Sequence, residues 1–288
     1  MFDRVETFCR PASVPEALRL LQRNKGHARI VAGGTDLVIE GGDAVRVLID
    51  ITRAGLSYIR GRGTAWAIGA TTTLSEIEES EGLRAFAGGI LPRAAATCGS
   101  PSIRNLATLG GNLANASPAA DMATALLALD ASVAMADARG RRKLPLADYL
   151  AGAGGNGFSK SILVEVQVPA PPKGACRWSF QKLGRTAVDI SLVNAAAGLQ
   201  LDGRGRVAWV RIALGSVAPA AMRAQEAERL MHGRVLDEVL IAQAAAEVSR
   251  EVRPVSDARA SAEYRREMSA VLAARALREC GAAEGGSL

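Results

Sequence analysis

The chain has 288 residues, the length of about two domains of roughly 150 residues each, and its 49% hydrophobic and 22% charged residues supply a sizeable core and exclude disorder over most of its length. No run reaches the ~18 uninterrupted apolar residues of a membrane span; the best, residues 122–136, is broken by Asp130. The net charge of +6 comes with only 4% aromatic residues, too few rings for a stacking platform, so the basic clusters at 139–143 and Arg265-Arg266 read as solvated faces and no nucleic-acid partner is expected.

Met1-Phe2-Asp3-Arg4 lacks the apolar stretch of a secretory signal, and a cytoplasmic chain is expected. Ser13-Val14-Pro15-Glu16 has the spacing of a capping box. Ala17, Leu18 and Leu21 then share a helical face, and that helix stops near Gly26. A short strand, Arg29-Ile30-Val31, runs into Gly33-Gly34-Thr35-Asp36; a second strand at 45–51 sets Val45, Val47, Ile49 and Ile51 on one face. Residues 1–55 therefore predict a small α/β unit.

Residues 56–170 predict a second α/β unit. Its elements are a strand at Trp66-Ala67-Ile68, a capping box at Thr73-Leu74-Ser75-Glu76, a helical stretch through Ala94-Ala95-Ala96, and strands at 131–136 and 162–168. Ser117-Pro118 reads as cap and first residue of a helix running to about Leu129. The proline-rich stretch 169–174 breaks the pattern, with 171–174 as linker. Residues 175–280 then predict strands at 177–183, 194–201 and 207–217, the last two around the turn Asp202-Gly203-Arg204-Gly205. Helices at 221–231, 236–252 and 261–280 complete an α+β domain, and 281–288 read as a disordered tail.

The four cysteines (Cys9, Cys98, Cys176, Cys280) form no C-x-x-C, and neither His27 nor His232 belongs to an H-E-x-x-H pattern, so no metal set is expected here and a bound organic cofactor would carry any chemistry. Gly152-Ala153-Gly154-Gly155-Asn156-Gly157 fits G-x-G-x-x-G. A helical segment precedes it and a strand follows, the reverse of a dinucleotide fingerprint, so it reads as a surface loop. Two other glycine pairs are better placed. Gly33-Gly34 follows a strand and is trailed by Thr35; Gly110-Gly111 lies between Thr108 and Asn112. Each removes Cβ atoms where backbone N–H groups can meet an anion, and together they suit a cofactor with two phosphates. Taken alone, each reads rather as a plain turn. Asp121 falls in the first turn of the helix after Ser117-Pro118, Lys182 alternates with apolar neighbours on a strand, and Cys98 sits in an alanine-rich packing stretch.

Three segments carry a family pattern: Arg10-Pro11-x-x-Val14-x-Glu16-Ala17-Leu18-x-Leu20-Leu21, Ala32-Gly33-Gly34-Thr35-Asp36-Leu37, and Ile103-Arg104-Asn105-x-Ala107-Thr108-Leu109-Gly110-Gly111-Asn112-Leu113-Ala114-Asn115-Ala116-Ser117-Pro118-Ala119-Ala120-Asp121. They closely resemble the FAD-binding medium subunits of the molybdenum hydroxylases, the family of xanthine dehydrogenase, aldehyde oxidase and carbon monoxide dehydrogenase. Lys182-Leu183-Gly184-Arg185 and Asp189-Ile190-x-x-Val193-x-x-Ala196 extend the match over nearly the whole chain.

The resemblance implies an α+β fold: a vanillyl-alcohol-oxidase (PCMH)-type FAD-binding domain of two α/β subdomains plus a C-terminal α+β domain. It implies FAD contacts from Val31, Ala32, Gly33, Gly34, Thr35, Asp36 and Leu37 in the first glycine loop, and from Thr108, Leu109, Gly110, Gly111 and Asn112 in the second. Asp121 matches the family's FAD-contacting aspartate, Leu163 and Lys182 align with contacts near the adenine or flavin ends, and Cys98 falls where some members set an aromatic ring against the cofactor. It further implies electrons arriving from [2Fe–2S] clusters of a small subunit, themselves reduced by a large molybdenum–pterin subunit, in a dimer of heterotrimers. FAD would pass them to an external acceptor (NAD, a quinone or dioxygen) with no protein acid or base required. The four scattered cysteines leave no set for an extra [4Fe–4S] cluster on this chain. The alternatives are a stand-alone flavin oxidoreductase of the same fold and a non-catalytic structural subunit.

Overall fold

Three β-sheets organise the residues described by the computed structural model, 4–153 and 160–282. The first is parallel, in the order β1-β3-β2: β1 (Thr7–Cys9), β2 (Ala28–Val31) and β3 (Val47–Asp50), with α1 (Val14–Arg23) crossing over and the short α2 (Leu37–Glu40) after the glycine loop. Val45, Val47, Ile49 and Ile51 are all buried, as their alternation requires. Ser13 caps α1 by accepting from the Glu16 N–H, but Glu16 reaches back to the Ala12 N–H (2.9 Å) and not to the cap residue itself.

The second sheet is antiparallel, in the order β4-β5-β8-β6-β7. Its strands are β4 (Ile59–Arg62), β5 (Ala65–Gly69), β6 (Ser132–Asp137), β7 (Gly140–Pro145) and β8 (Ile162–Val168). Between β5 and β6 run six helices: α3 (Leu74–Glu79), α4 (Glu81–Ala85), α5 (Ile90–Ala96), α6 (Pro101–Arg104), α7 (Leu109–Ala114) and α8 (Asp121–Ala128); α9 (Leu146–Ala153) precedes β8. The Thr73/Glu76 capping box forms with both arms. The basic cluster at 139–143 contributes to β7, an exposed edge strand whose charges oppose further pairing.

The third sheet is antiparallel, in the order β12-β11-β10-β9, from β9 (Cys176–Leu183), β10 (Val193–Leu201), β11 (Val207–Gly215) and β12 (Met222–Arg223). It is backed by α10 (Gln225–Met231), α11 (Glu238–Glu251) and α12 (Ala262–Gly281). Asp202 Oδ1 accepts from the Arg204 and Arg206 N–H groups and so closes the turn between β10 and β11.

All eight residues of α8 are buried, because it packs among the second unit's helices and against β10 and β11 of the third sheet. A helix closed in on every side is apolar all round; Asp121, at its first position, is its one charge. This corrects the expected helix start. Ser117-Pro118 forms a turn instead: Ala116 has a positive φ of 53°, the Pro118 carbonyl accepts from the Ser216 N–H (2.7 Å), and Ala120 is the cap residue. Gly152 ends up inside α9, while residues 154–157 of the G-x-G-x-x-G string and 283–288 of the tail lie outside the described residues. Among the described residues no helix is long and apolar enough to cross a membrane.

Candidate functional site

A cavity of about 710 Å³ opens between the first and second sheets, within the size range of small-molecule and cofactor sites. Residues 31–37, Thr108, residues 110–112 and Leu163 line it, so most of the predicted contacts converge from elements far apart in sequence. Leu109, Cys98, Asp121 and Lys182 do not line it. Leu109 turns its side chain fully into the core, and the other three meet in a separate cluster.

The first glycine of each pair is required by packing. A Cβ on Gly33 would lie 1.9 Å from the Leu106 carbonyl oxygen, and one on Gly110 would lie 2.7 Å from both Cβ and O of Ala70. Gly34 has φ +72°, a left-handed conformation. Their backbone donors differ. Among the described residues the N–H groups of Gly33, Gly34, Thr35 and Asp36 have no partner, although all four residues line the cavity.

The second pair instead opens a helix. The Leu109 and Gly110 N–H groups donate to the carbonyls of Thr72 and Ala70, that of Gly111 to Thr108 Oγ1 (3.1 Å) and that of Asn112 to the Thr108 carbonyl. The expectation of two donor-rich nests is therefore corrected to one. The second pair gives the cavity a bare glycine surface and the Asn112 amide, whose Oδ1 is buried without a partner among the described residues. Lys25, Arg29 and Lys160 also line the cavity and bring positive charge to it; isolated basic residues carry no pattern that singles them out in sequence.

In the second cluster both oxygens of Asp121 are engaged. Asp121 Oδ2 accepts from Lys182 Nζ (2.8 Å), and Oδ1 accepts from Ser191 Oγ (2.5 Å) and Asn194 Nδ2 (2.6 Å). Lys182 Nζ also donates to the Thr97 carbonyl (2.7 Å), and Thr124 Oγ1 donates to Asn194 Oδ1 (2.7 Å). The Cys98 thiol lies 3.8 Å from Asp121 Oδ2; burial first, then the Asp121 charge, pushes it far above the ordinary thiol range, so it is not a nucleophile. Ser191 and Asn194 are new members of the site. Ser191 lies two residues before β10 and Asn194 within it, and both fall at unspecified positions of the Asp189-Ile190-x-x-Val193-x-x-Ala196 pattern. Among the described residues no group of three or more His, Cys, Asp and Glu side chains could hold a metal ion.

The family of FAD-binding domains in molybdopterin dehydrogenase matches residues 2–171, and that of the CO dehydrogenase flavoprotein C-terminal domain matches residues 178–280. The chain is 36% identical over 252 residues to the 6-hydroxypseudooxynicotine dehydrogenase complex subunit alpha of Paenarthrobacter nicotinovorans, covering 84% of this chain and 83% of the relative. It is 33% identical to the xanthine dehydrogenase FAD-binding subunit of Escherichia coli O157:H7, covering 100% of both. Among solved structures, a chain of reconstituted CO dehydrogenase from Oligotropha carboxidovorans superposes with a TM-score of 0.91 at 31% identity, over 98% of this chain and 99% of that one. These likenesses agree with the expected PCMH-type FAD-binding fold with an added C-terminal domain. The site fits the cofactor too: a run of uncommitted N–H groups suits a diphosphate, and the orphaned Asn112 oxygen lacks only a donor. The chain belongs to the FAD-binding subunits of the molybdopterin dehydrogenase family, as the flavoprotein component of an oxidoreductase.

Proposed function

We propose that this chain is the electron-transfer subunit of a multi-subunit molybdenum hydroxylase, with FAD laid along the cavity between the first two sheets. The observation that carries the reading is the unpaired N–H run of residues 33–36 on the cavity wall. Successive free amides form a concave anion site, and a diphosphate would satisfy donors on the cavity wall that have no protein partner among the described residues. Asn112 Oδ1 would accept from a cofactor hydroxyl or ring N–H and Leu163 would offer an apolar contact, while the Asp121–Lys182 pair, off the cavity lining, would reach the adenine or flavin end only where FAD extends beyond the cavity. What FAD supplies when bound is one- and two-electron exchange; the chain's part is to bind, orient and set the local field.

In this reading electrons enter from [2Fe–2S] clusters on a small subunit, fed by a large molybdopterin subunit, and leave to an external acceptor. Relatives that are themselves components of dehydrogenase complexes support the assembly, and we take it to be a dimer of heterotrimers. Residues 1–55 and 56–170 serve as the two FAD-binding subdomains and 175–280 as the C-terminal domain. Four free cysteines suit a reducing compartment, and we place the complex in the cytoplasm. The test is the visible spectrum of the purified chain: a flavin band, with one FAD released per chain on denaturation, is expected. A colourless protein that cannot be reconstituted with FAD overturns the reading. Oxidation of a small substrate by the isolated chain would instead make it a stand-alone enzyme.

A further inference from the structure

Five charged residues line the cavity, and they are divided along it. Lys25 lies in the turn before β2, Arg29 in β2 itself and Lys160 just before β8; Asp36 and Glu40 lie past the first glycine pair, at the ends of α2. All five are exposed, so they edge the opening. Among the described residues Lys25, Arg29 and Lys160 make no side-chain hydrogen bond or ion pair. Both strands start at the cationic end and run towards the glycines: β2 leads into Gly33, and β8 reaches Gly110 through Val164 and Ala70. Arg29 is four residues before Gly33, about 13 Å of extended chain. The basic cluster at 139–143 flanks the same end. Arg141 pairs with Ala136, which pairs in turn with Ile162 of β8, so Arg141 lies two strand spacings, about 10 Å, from the strand that Lys160 leads into. Asp137, beside that cluster, already accepts from the Arg139 N–H (2.7 Å) and faces Arg142 at 4.0 Å.

We propose that Lys25, Arg29 and Lys160 form a cationic mouth that steers the diphosphate of FAD into the cavity: they set how fast the chain takes up its cofactor, while the amide run of residues 33–36 sets how firmly it is kept. This rests on the reading above that FAD occupies this cavity. A cleft edged by one sign of charge raises the local concentration of an oppositely charged ligand and speeds its entry. Exposed charges at a rim act on the association rate and its salt dependence, and contribute little to holding the bound ligand. The amide run is the reverse case, since a hydrogen bond acts only at contact. The carboxylates of Asp36 and Glu40 oppose a diphosphate at the far end, so the field along the cavity is polar and favours entry over the cations.

The experiment strips FAD from the complex purified with the full chain and follows its return by flavin fluorescence, giving association and dissociation rates at low and high salt. At about 0.01 M ionic strength, where charges act over about 30 Å, the combined variant Lys25→Gln, Arg29→Gln, Lys160→Gln is expected to take up FAD about tenfold more slowly than wild type. At about 1 M, where they act over about 3 Å, the two should agree within about twofold, and dissociation should differ by no more than that at either salt. Arg29→Lys, which keeps the charge, should match wild type, and Glu40→Gln should speed uptake. Arg275→Gln, on the exposed side of α12, changes the net charge away from the cavity lining and should leave both rates alone. Faster dissociation of the triple variant with unchanged association overturns the proposal, because the cations would then hold FAD. Equal slowing by Arg275→Gln also overturns it, since net charge alone would suffice. An association rate of wild type that does not fall with salt overturns it without any variant. A stripped wild-type complex that takes up no FAD at either salt defeats instead the FAD reading on which the proposal stands.

Discussion

Gly33-Gly34 and Gly110-Gly111 both lie on the cavity wall, and in each the first glycine is forced by close packing, yet among the described residues only the first pair leaves its backbone donors uncommitted. The second pair spends its N–H groups on Ala70, Thr108 and its own helix. The physical lesson is that a glycine needed for close approach and a glycine that feeds a ligand are different things. What separates them is where the neighbouring N–H groups go. The Asp121 cluster is the extreme of the committed case, with both carboxylate oxygens engaged before any ligand arrives.

That contrast predicts a stability loss where a substitution breaks a committed partner or meets backbone, and an FAD-affinity loss where it disturbs an uncommitted group on the cavity wall. The largest effect is expected for Asp121→Ala. It strands the Lys182 ammonium with the Thr97 carbonyl alone and removes the acceptor of Ser191 and Asn194, at a cost of about 3–5 kcal/mol. Urea unfolding should register the loss, and flavin retention should fall with it. Adding Lys182→Met should recover part of the stability, because the uncompensated charge is gone; a double mutant no more stable than Asp121→Ala would contradict the pairing.

Next is a matched pair of alanine substitutions. Gly33→Ala puts a methyl 1.9 Å from a backbone carbonyl, which cannot move aside cheaply, and should cost about 1–3 kcal/mol. It should also misplace the free N–H run and lower FAD occupancy. Gly111→Ala meets only Thr108 Oγ1, at 2.9 Å. Loss of that cap, about 1 kcal/mol, is offset by about 1 kcal/mol of helix propensity, so thermal stability should stay within the error of wild type. Bulkier Gly111→Val cannot be accommodated this way and should weaken FAD retention. Equal destabilisation by the two alanines would erase the distinction between the pairs.

Asn112→Ala is the converse probe. Its Oδ1 is buried and unpaired, so removing the amide relieves an unmade hydrogen bond in the FAD-free chain and should leave its melting temperature unchanged or slightly higher. FAD should bind about tenfold more weakly, one hydrogen bond's worth. A titration with FAD followed by flavin fluorescence separates the two effects.

Legibility in sequence follows the same division. Elements whose patterns are local were readable: the alternation at 45–51, the capping box at Thr73, the turn at Asp202 and the strand Ile162–Val168. Strand β7 was not, because an exposed edge strand of Arg and Lys has no apolar alternation to show. The start of α8 was misread because Ser117-Pro118 has the chemistry of a helix start, while a contact from Ser216, almost a hundred residues away, holds Pro118 in a turn. The glycine pairs could be found but not told apart, since the Ala70 and Leu106 carbonyls that distinguish them approach only in the folded chain. Ser191 and Asn194 show in sequence only as polar residues at the start of an apolar run, and the partner that explains them lies on another element.

The smallest predicted effect concerns a committed pair that is not part of the cavity lining. Tyr58 donates from its hydroxyl to Glu165 Oε2 (2.8 Å), a carboxylate that also takes the Gln167 amide. Burial, followed by the Glu165 hydrogen bond and charge, pushes the Tyr58 phenol up to about 12 from its ordinary 10.0. The folded chain therefore holds the proton more tightly than the unfolded chain. Between about pH 10 and 12 the unfolded state binds fewer protons, so stability falls as pH rises through that window and the contribution is fully present below it. Tyr58→Phe should cost about 1 kcal/mol at neutral pH, one hydrogen bond, and make the alkaline fall in stability shallower. Tyr149, raised to about 12 by burial, keeps its own share, so the slope should shrink without vanishing. Urea midpoints at pH 8, 10 and 11.5 for wild type and variant measure this directly (roughly spaced about the ordinary tyrosine value). Parallel curves would mean that Glu165 does not hold Tyr58 in its protonated form.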